Sequence, residues 1–209
     1  METVSGKNIT IQFDGKKCIH SRNCVLNRPD VFVPNVKGEW IYPDRATSGE
    51  IQNLALSCPS GAIRFTSKIE SENEKAPLVN LVRVRENGPL AFHADLEIIG
   101  QTDPGFRVTL CRCGASKNKP FCDSSHSSIG FAATGEPLTE ESSPLEVRNG
   151  KVTIKPTHNG PLKVSGNLEV CSGTGRTVNR VMEAFLCRCG GSSNKPYCDG
   201  THKKNGFQG

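Results

Sequence analysis

Four residues recur with one spacing in two places. Cys111-x-Cys113-x8-Cys122-x3-His126 returns as Cys187-x-Cys189-x8-Cys198-x3-His202, at a constant offset of 76. Thiolates with an imidazole form a soft ligand set that suits an iron–sulfur cluster or zinc. Zinc accepts three Cys and one His, but gaps of one and eight residues are unlike the usual zinc spacings. The Cys-x-Cys pair is read as needing a bent loop to bring both sulfurs to one centre, which a two-iron cluster tolerates better than a single small ion. Pro120 and Pro196 are read as opening a short helix. On that helix Cys122 and His126, and Cys198 and His202, lie four residues apart on one face. Asp123 and Asp199 read as helix-start caps or as tuning groups. Lys119 and Lys195, equivalent in the two copies, read as solvated lysines, with steering of an acidic partner as the alternative.

A second constellation lies near the N-terminus: Cys18-x5-Cys24, followed far along by Cys58-Pro59. A bacterial ferredoxin run has a cysteine midway between the first two; here Ser21 takes that place. Three thiols suit a 3Fe–4S cluster, or a 4Fe–4S cluster whose fourth iron takes Ser21, His20 or water. A fold that has lost its cluster and keeps buried thiols is the plain alternative. Cys171 has no counterpart in the first copy and reads as a thiol without a role.

The elements that must position these residues follow from the repeat. Across 111–131 and 187–207, 13 of 21 positions are identical, and Asn87-Gly88-Pro89-Leu90 matches Asn159-Gly160-Pro161-Leu162 at an offset of 72. Each copy opens with alternating apolar and polar residues, at 78–85 and 151–155, which predicts strands. The Asn-Gly-Pro segments predict turns. Further strands are predicted at 106–110 and 178–186. Before the repeats, Ile9, Ile11 and Phe13 predict a strand. Ser48 predicts the cap of a helix to about Cys58 whose Ile51, Leu54, Ala55 and Cys58 share a face, and 62–65 a closing strand. The polar stretch 67–77 predicts a linker. The boundaries are thus 1–66, a linker over 67–77, a first repeat at 78–135 and a second at 136–209.

Composition sets limits. The 209 residues are only 35% hydrophobic and 6% aromatic, with 21 Gly, 13 Pro and 10 Cys. Domains so poor in core need metals or disulfides. The stretch from Met1 to Gln12 lacks a basic-then-apolar signal pattern, and nothing approaches the ~18 apolar residues of a membrane span. The expectation is a cytoplasmic protein, in which the cysteines serve as metal ligands rather than disulfides. A net charge of +5, scattered along the chain, argues against nucleic-acid partners.

The doubled motif resembles the CDGSH iron–sulfur family, whose pattern is Cys-x-Cys-x2-Ser/Thr-x3-Pro-x-Cys-Asp-Gly-Ser/Ala/Thr-His. Cys187, Cys189, Ser192, Pro196, Cys198, Asp199, Gly200, Thr201 and His202 fit throughout. The first copy fits at Cys111, Cys113, Ser116, Pro120, Cys122, Asp123 and His126, with Ser124 in place of the glycine, a change expected to alter the local backbone. The resemblance implies a 2Fe–2S cluster in each copy, with Cys111/Cys113 and Cys187/Cys189 on the inner irons and Cys122/His126 and Cys198/His202 on the outer ones. It also implies an α+β, β-rich fold in which the repeats pack as an intrachain pseudo-dimer within a monomer. The first 66 residues resemble small divergent mono-cluster ferredoxins, which implies a ferredoxin-like α+β domain. The functional expectation is an electron carrier, not an enzyme, working with a redox partner protein. Cluster transfer or storage to an apo-acceptor, or redox and pH sensing, is the alternative, and a zinc-bound interaction module is a third.

Overall fold

The computed structural model describes residues 1–209 apart from the side chain of Glu70. The chain folds as two units, Met1–Lys75 and Ala76–Gly209. In the first, β1 (Glu2–Ser5), β2 (Ile9–Phe13) and β3 (Ile63–Ser67) form an antiparallel sheet with β2 in the centre. Ile9 and Ile11 face inward from β2, as their alternation predicts, and meet Ile63 and Phe65 of β3, Ile51, Leu54 and Ala55 of α2 (Ser48–Leu56), and Phe32 in one buried cluster. The cap of α2 is Thr47, one residue earlier than the sequence suggested. Its hydroxyl accepts from the Glu50 N–H while Glu50 accepts from the Thr47 N–H, a reciprocal capping box. The first residues of the predicted linker are fastened to this unit. The Ser67 N–H donates to Asn73 at 2.8 Å, its hydroxyl donates to Glu72 at 2.7 Å, and a 3-10 turn forms over Glu70–Glu72.

The second unit is one seven-stranded sheet to which both repeats contribute. The first repeat supplies β4 (Leu81–Val84), β5 (Leu90–His93), β6 (Asp95–Ile98) and β7 (Arg107–Leu110). The second supplies β8 (Lys151–Pro156), β9 (Leu162–Cys171) and β10 (Thr177–Leu186). Within each repeat the strands pair antiparallel: β4 with β5 and β5 with β7, and β8 with β9 and β9 with β10. Between repeats the pairing is parallel and crossed. Strand β6 leaves its own repeat to lie beside β8, with Glu97 opposite Thr153 and Ile98 opposite Ile154. The far half of β9 lies beside β4, with Glu169 opposite Leu81 and Val170 opposite Val82. These registers interchange at the same offset of 72, so each repeat lends a strand to the other in the same way, the reciprocity of an isologous interface.

The lent strands leave one shared core. Val82, Leu90, Phe92 and Ile98 of the first repeat cluster with Ile154, Leu162, Leu168 and Leu186 of the second. Asn80, wholly buried, braces the crossing: its amide donates to the Gly150 and Asn167 carbonyls and its carbonyl accepts from the Asp95 N–H. The predicted strand at 78–85 is therefore shortened at both ends, because Asn80 serves the crossing and Asn87 turns with φ 47. Strands β1, β5, β6 and β9 had not been predicted. Mostly strand with few helices, the chain is α+β and β-rich.

Candidate metal centres

Each Cys-x-Cys follows directly on a strand end, β7 for Cys111 and β10 for Cys187. In the first copy the chain bends at Arg112, between the two cysteines, as the sequence reading expected. The sulfurs of Cys111 and Cys113 are 3.8 Å apart, as are those of Cys187 and Cys189. Pro120 and Pro196 do not open a helix either. Each lies in a loop that returns alongside the strand: Cys111 N–H donates to the Pro120 carbonyl at 2.8 Å and Cys122 N–H to Thr109 at 2.9 Å. Cys187 and Cys198 repeat these bonds with Pro196 and Phe185, both at 2.8 Å. Only then come short helical turns, α3 (Ser125–Ser128) and a 3-10 turn at Thr201–Lys203. The third cysteine therefore sits on a strand-like return and the histidine on the turn after it. Even so, Cys122 Sγ lies 3.4 Å from His126 Nδ1, and Cys198 Sγ 3.3 Å from His202 Nδ1.

These separations are those of paired ligands. Two sulfurs at ~2.3 Å from one tetrahedral ion lie about 3.8 Å apart, and a sulfur and a nitrogen about 3.5 Å. The four groups thus come as two pairs. Among the described residues no three Cys, His, Asp or Glu side chains gather where a single ion could sit. Two pairs suit a two-iron cluster better than one zinc ion.

The eight-residue loop between the pairs is held shut. Ser116 Oγ donates to the Phe121 carbonyl at 2.6 Å and accepts from Asn118 N–H at 3.1 Å; Ser192 does the same with Tyr197 and Asn194. Asp123 accepts from the Lys117 N–H at 2.8 Å and the Ser125 N–H at 3.0 Å, so it staples loop to turn rather than capping a helix. Asp199 makes the equivalent bonds to Ser193 and Thr201. Partial burial pushes the Asp123 carboxyl up, but the hydrogen bonds from Ser125 and Lys117 outweigh it and hold it down at about 2. The Ser193 N–H likewise holds Asp199 well below the usual range. Lys119 and Lys195 are half-buried, each bonding back to the carbonyl of Ser116 or Ser192, and Lys119 also lies over the Phe207 ring of the other repeat. They are not the free solvated lysines the sequence suggested.

Ser124 was expected to alter the backbone. Instead Ser124 and Gly200 both take the left-handed conformation, with φ 69 and 86. The difference is that serine bears the strain of it, with its hydroxyl buried and without a hydrogen-bond partner. Burial pushes the Cys122 thiol up to about 11, and Cys187 up as well. A metal in place of the proton removes that resistance, because a bound thiolate's charge is neutralised at once. Burial lowers the His126 imidazole, against an upward pull from Asp123 and with a further push down from Arg112.

The two sites meet at their inner cysteines. Cys113 and Cys189 form an isolated antiparallel bridge. At Gly114, with φ 85, a Cβ would stand 2.7 Å from the Cys189 carbonyl oxygen; at Gly190, with φ 79, it would stand 2.5 Å from that of Cys113. Only glycine fits either place. Sequence reasoning missed these glycines and the arginines Arg112 and Arg188, although their identity in both copies was a usable signal.

In the first unit, Cys18 follows the turn started by Asp14, Cys24 lies in α1 (Asn23–Asn27), and Cys58 is buried just after α2. Burial raises the Cys18 and Cys24 thiols, and both feel the charge of Cys58, so the three are electrostatic neighbours. A cavity of about 330 Å³ is lined by Cys18, His20 and Cys24 among apolar residues that include Phe13 and Trp40. Ser21 and Cys58 are not among its lining residues. His20 and Arg22 hold φ 52 and 63, the unfavourable left-handed region for residues with side chains. Cys171 is buried at the end of β9, with Thr177 as its neighbour. All ten cysteines are free thiols.

Comparison with known proteins agrees with this geometry. A family model described as iron-binding zinc finger CDGSH type matches residues 82–127 and again 159–203. CDGSH iron-sulfur domain-containing protein 1 of Mus musculus is 33% identical over 92 residues, 44% of this chain and 73% of the mouse protein. The chain belongs to the CDGSH iron–sulfur family. A CDGSH protein of Branchiostoma floridae, the domain-containing protein 2 homolog A, is 30% identical over 97 residues, 46% of this chain and 63% of its own. Ahead of the CDGSH repeats, a model described as divergent 4Fe-4S mono-cluster matches residues 4–68. Uncharacterized protein YjdI of Escherichia coli K12 is 34% identical over 65 residues, 31% of this chain and 83% of that protein. No solved structure gives a significant match. The two CDGSH repeats are 2Fe–2S domains, and the unit before them is a divergent 4Fe–4S domain. No helix is long and apolar enough to cross a membrane among the described residues.

Proposed function

We propose that this chain is an electron carrier holding two 2Fe–2S clusters, with Cys111, Cys113, Cys122 and His126 as ligands of one and Cys187, Cys189, Cys198 and His202 of the other. The observation that carries the reading is the two-plus-two spacing, 3.8 Å within each Cys pair and 3.4 or 3.3 Å within each Cys–His pair. Bound there, a cluster supplies one-electron acceptance. The protein's part is to fix the ligands: the returning strand, the serine that shuts the loop and the aspartate staple leave the pairs little freedom, which keeps the rearrangement on electron transfer small. An imidazole in place of a fourth thiolate removes negative charge and raises the potential. The reciprocal strand exchange supports an intrachain pseudo-dimer, complete within one monomer. The backbone bridge between Cys113 and Cys189 supports passage of an electron between the two sites.

A third cluster, 4Fe–4S, is assigned to Cys18, Cys24 and Cys58. His20 lines the cavity together with Cys18 and Cys24, and the fourth iron takes His20, Ser21 or water. Ten cysteines with no disulfide among them suit a reducing compartment such as the cytoplasm, and the partner is a redox protein. Cluster donation to an apo-acceptor is a second reading, favoured by His126 and His202 being only half-buried. Electron paramagnetic resonance with iron analysis, as isolated and after reduction, tests the assignment. Two 2Fe–2S signals and one cubane signal are the expected result; stoichiometric zinc with little iron refutes it. Cycling through many oxidations without loss of iron supports the carrier, and rapid transfer to an apo-ferredoxin supports the donor.

A further inference from the structure

The two histidine-bearing turns differ where solvent reaches them. Ser127 and Ser128 follow His126, whereas Lys203 and Lys204 follow His202. All four residues are exposed. Five of the eight positions at which 111–131 and 187–207 disagree lie at 124–129 and their counterparts 200–205, so the copies differ most on the turn beside the outer ligands. Neither lysine ammonium has a hydrogen-bond or ion-pair partner among the described residues. A surface lysine is ordinary, but here the fold makes no use of two charges that one copy has and the other lacks.

The surroundings add to this charge. Lys195, half-buried, is tied back to the Ser192 carbonyl in the loop that Asp199 staples to Thr201. Lys119 comes across from the first repeat, its ammonium 5.6 Å from the centre of the Phe207 ring, three residues beyond Lys204. The acidic residue within 187–207 is Asp199, and its carboxylate is already engaged by the N–H groups of Ser193 and Thr201. Arg112 and Arg188 are 1% and 2% exposed and donate to backbone carbonyls, so they add nothing a partner could touch. The first turn instead offers its two serines and, next to them, the exposed apolar side chain of Ile129.

We infer that the His202 turn is the docking face for an acidic electron-transfer protein and that the His126 turn is not, so that this partner exchanges electrons with the second repeat's cluster. This rests on the two-cluster reading above, in which Cys198 and His202 hold the outer iron. His202 is half-buried and adjoins Lys203, so a partner seated on the lysines meets the imidazole that leads to that iron. One electron passes from the reduced partner to the oxidised cluster, and no covalent bond forms or breaks. Exposed charges of one sign speed the encounter with an oppositely charged partner and select against a like-charged one. Their field is screened beyond about 8 Å at physiological salt, so the lysines act on what meets the second turn and not on what meets the first.

The test mixes the full iron-loaded chain, oxidised, with reduced flavodoxin, an acidic flavoprotein, and follows flavin and cluster absorption by stopped flow. The native rate constant is expected to fall steeply as salt is raised. Lys203→Ser with Lys204→Ser, which copies the first turn, is expected to slow the low-salt reaction about tenfold and to flatten its salt dependence at unchanged iron content. Lys117→Ser, which removes an exposed charge from the first repeat's loop, is expected to change the rate little. A native rate indifferent to salt, equal rates in the native and double-serine chains, or a comparable loss from Lys117→Ser overturns the inference while leaving the cluster assignment intact. Fewer than two 2Fe–2S signals by electron paramagnetic resonance of the native protein overturns the assignment itself.

Discussion

Ser124→Gly exchanges the first repeat's serine for the residue its counterpart already has at Gly200, and the structure allows its effect to be worked out. Ser124 holds φ 69, and a residue with a Cβ pays ~1–2 kcal/mol for the left-handed region. Its buried hydroxyl lacks a partner, which adds about 1 kcal/mol at the low end of such penalties. Against these stands the greater freedom of glycine in the unfolded chain, about 0.4–1 kcal/mol. The net gain is about 1–2.5 kcal/mol, or roughly 4–10 °C in the thermal midpoint of a unit this size. The reverse change separates the terms. At Gly200 no atom lies within 4 Å of an added Cβ, so Gly200→Ala has only the conformational cost, about 1 kcal/mol. Thermal unfolding of the iron-loaded proteins by circular dichroism, with iron content measured alongside, reads both. If Ser124→Gly leaves the midpoint unchanged or lowers it at equal iron content, the turn is not strained by serine and the reasoning fails.

Other outcomes follow from the same geometry. Gly114→Ala, whose new methyl would meet the Cys189 carbonyl at 2.7 Å in a left-handed backbone, is expected to cost about 2 kcal/mol or more and to reduce iron occupancy in both repeats; iron analysis showing loss in the first alone would contradict the shared bridge. Cys111→Ser and Cys187→Ser should each remove one cluster's visible absorption, and unchanged absorption would deny these residues a ligand role. Burial depresses the His126 imidazole, so the neutral ring's contribution is complete above the free value of about 6.5 and declines as pH falls toward the lower folded value. First-repeat absorption, isolated in the Cys187→Ser protein, should accordingly bleach in mild acid, and His126→Cys should slow the bleaching; equal rates would remove the imidazole from the metal site. The Asp123 carboxyl, held at about 2, contributes stability that is present above about pH 4 and lost as pH falls through the folded value, so Asp123→Asn should flatten that acid limb of the stability profile.

The candidate sites were the most legible part of the sequence, because residue type and spacing are written in the residues themselves. The 76-residue offset marked both sites, and the pairs meet as the motif implies. Local conformation around them was harder to read. Proline before Cys122 and Cys198 signalled a helix start, yet long-range pairing of Cys122 with Thr109 and Cys198 with Phe185 draws the chain into a strand-like return. Strand exchange was invisible for a different reason. Leu96 and Ile98 have the alternation of an ordinary strand, and alternation specifies a buried face without naming the neighbour. Asn80 offered no periodic signal at all, since its role lies in carbonyls 70 and 87 residues away in sequence. The buried arginines ran against composition rules that place such residues outside; identity across the repeats, weighed against burial, was the clue that mattered.

Because β6 and the far half of β9 change places, neither repeat can close its sheet alone, and the join between them is covalent. A two-fold assembly of separate chains dissolves on dilution and must use one sequence twice, so any change appears at both sites. Here association is intramolecular, set by an effective concentration that dilution does not touch. Each half is also free to drift by itself. Ser124 against Gly200, Glu86 against His158 and the lone Cys171 are places where it has done so. A fused pair can therefore hold two related sites at different settings, which two identical chains could not do.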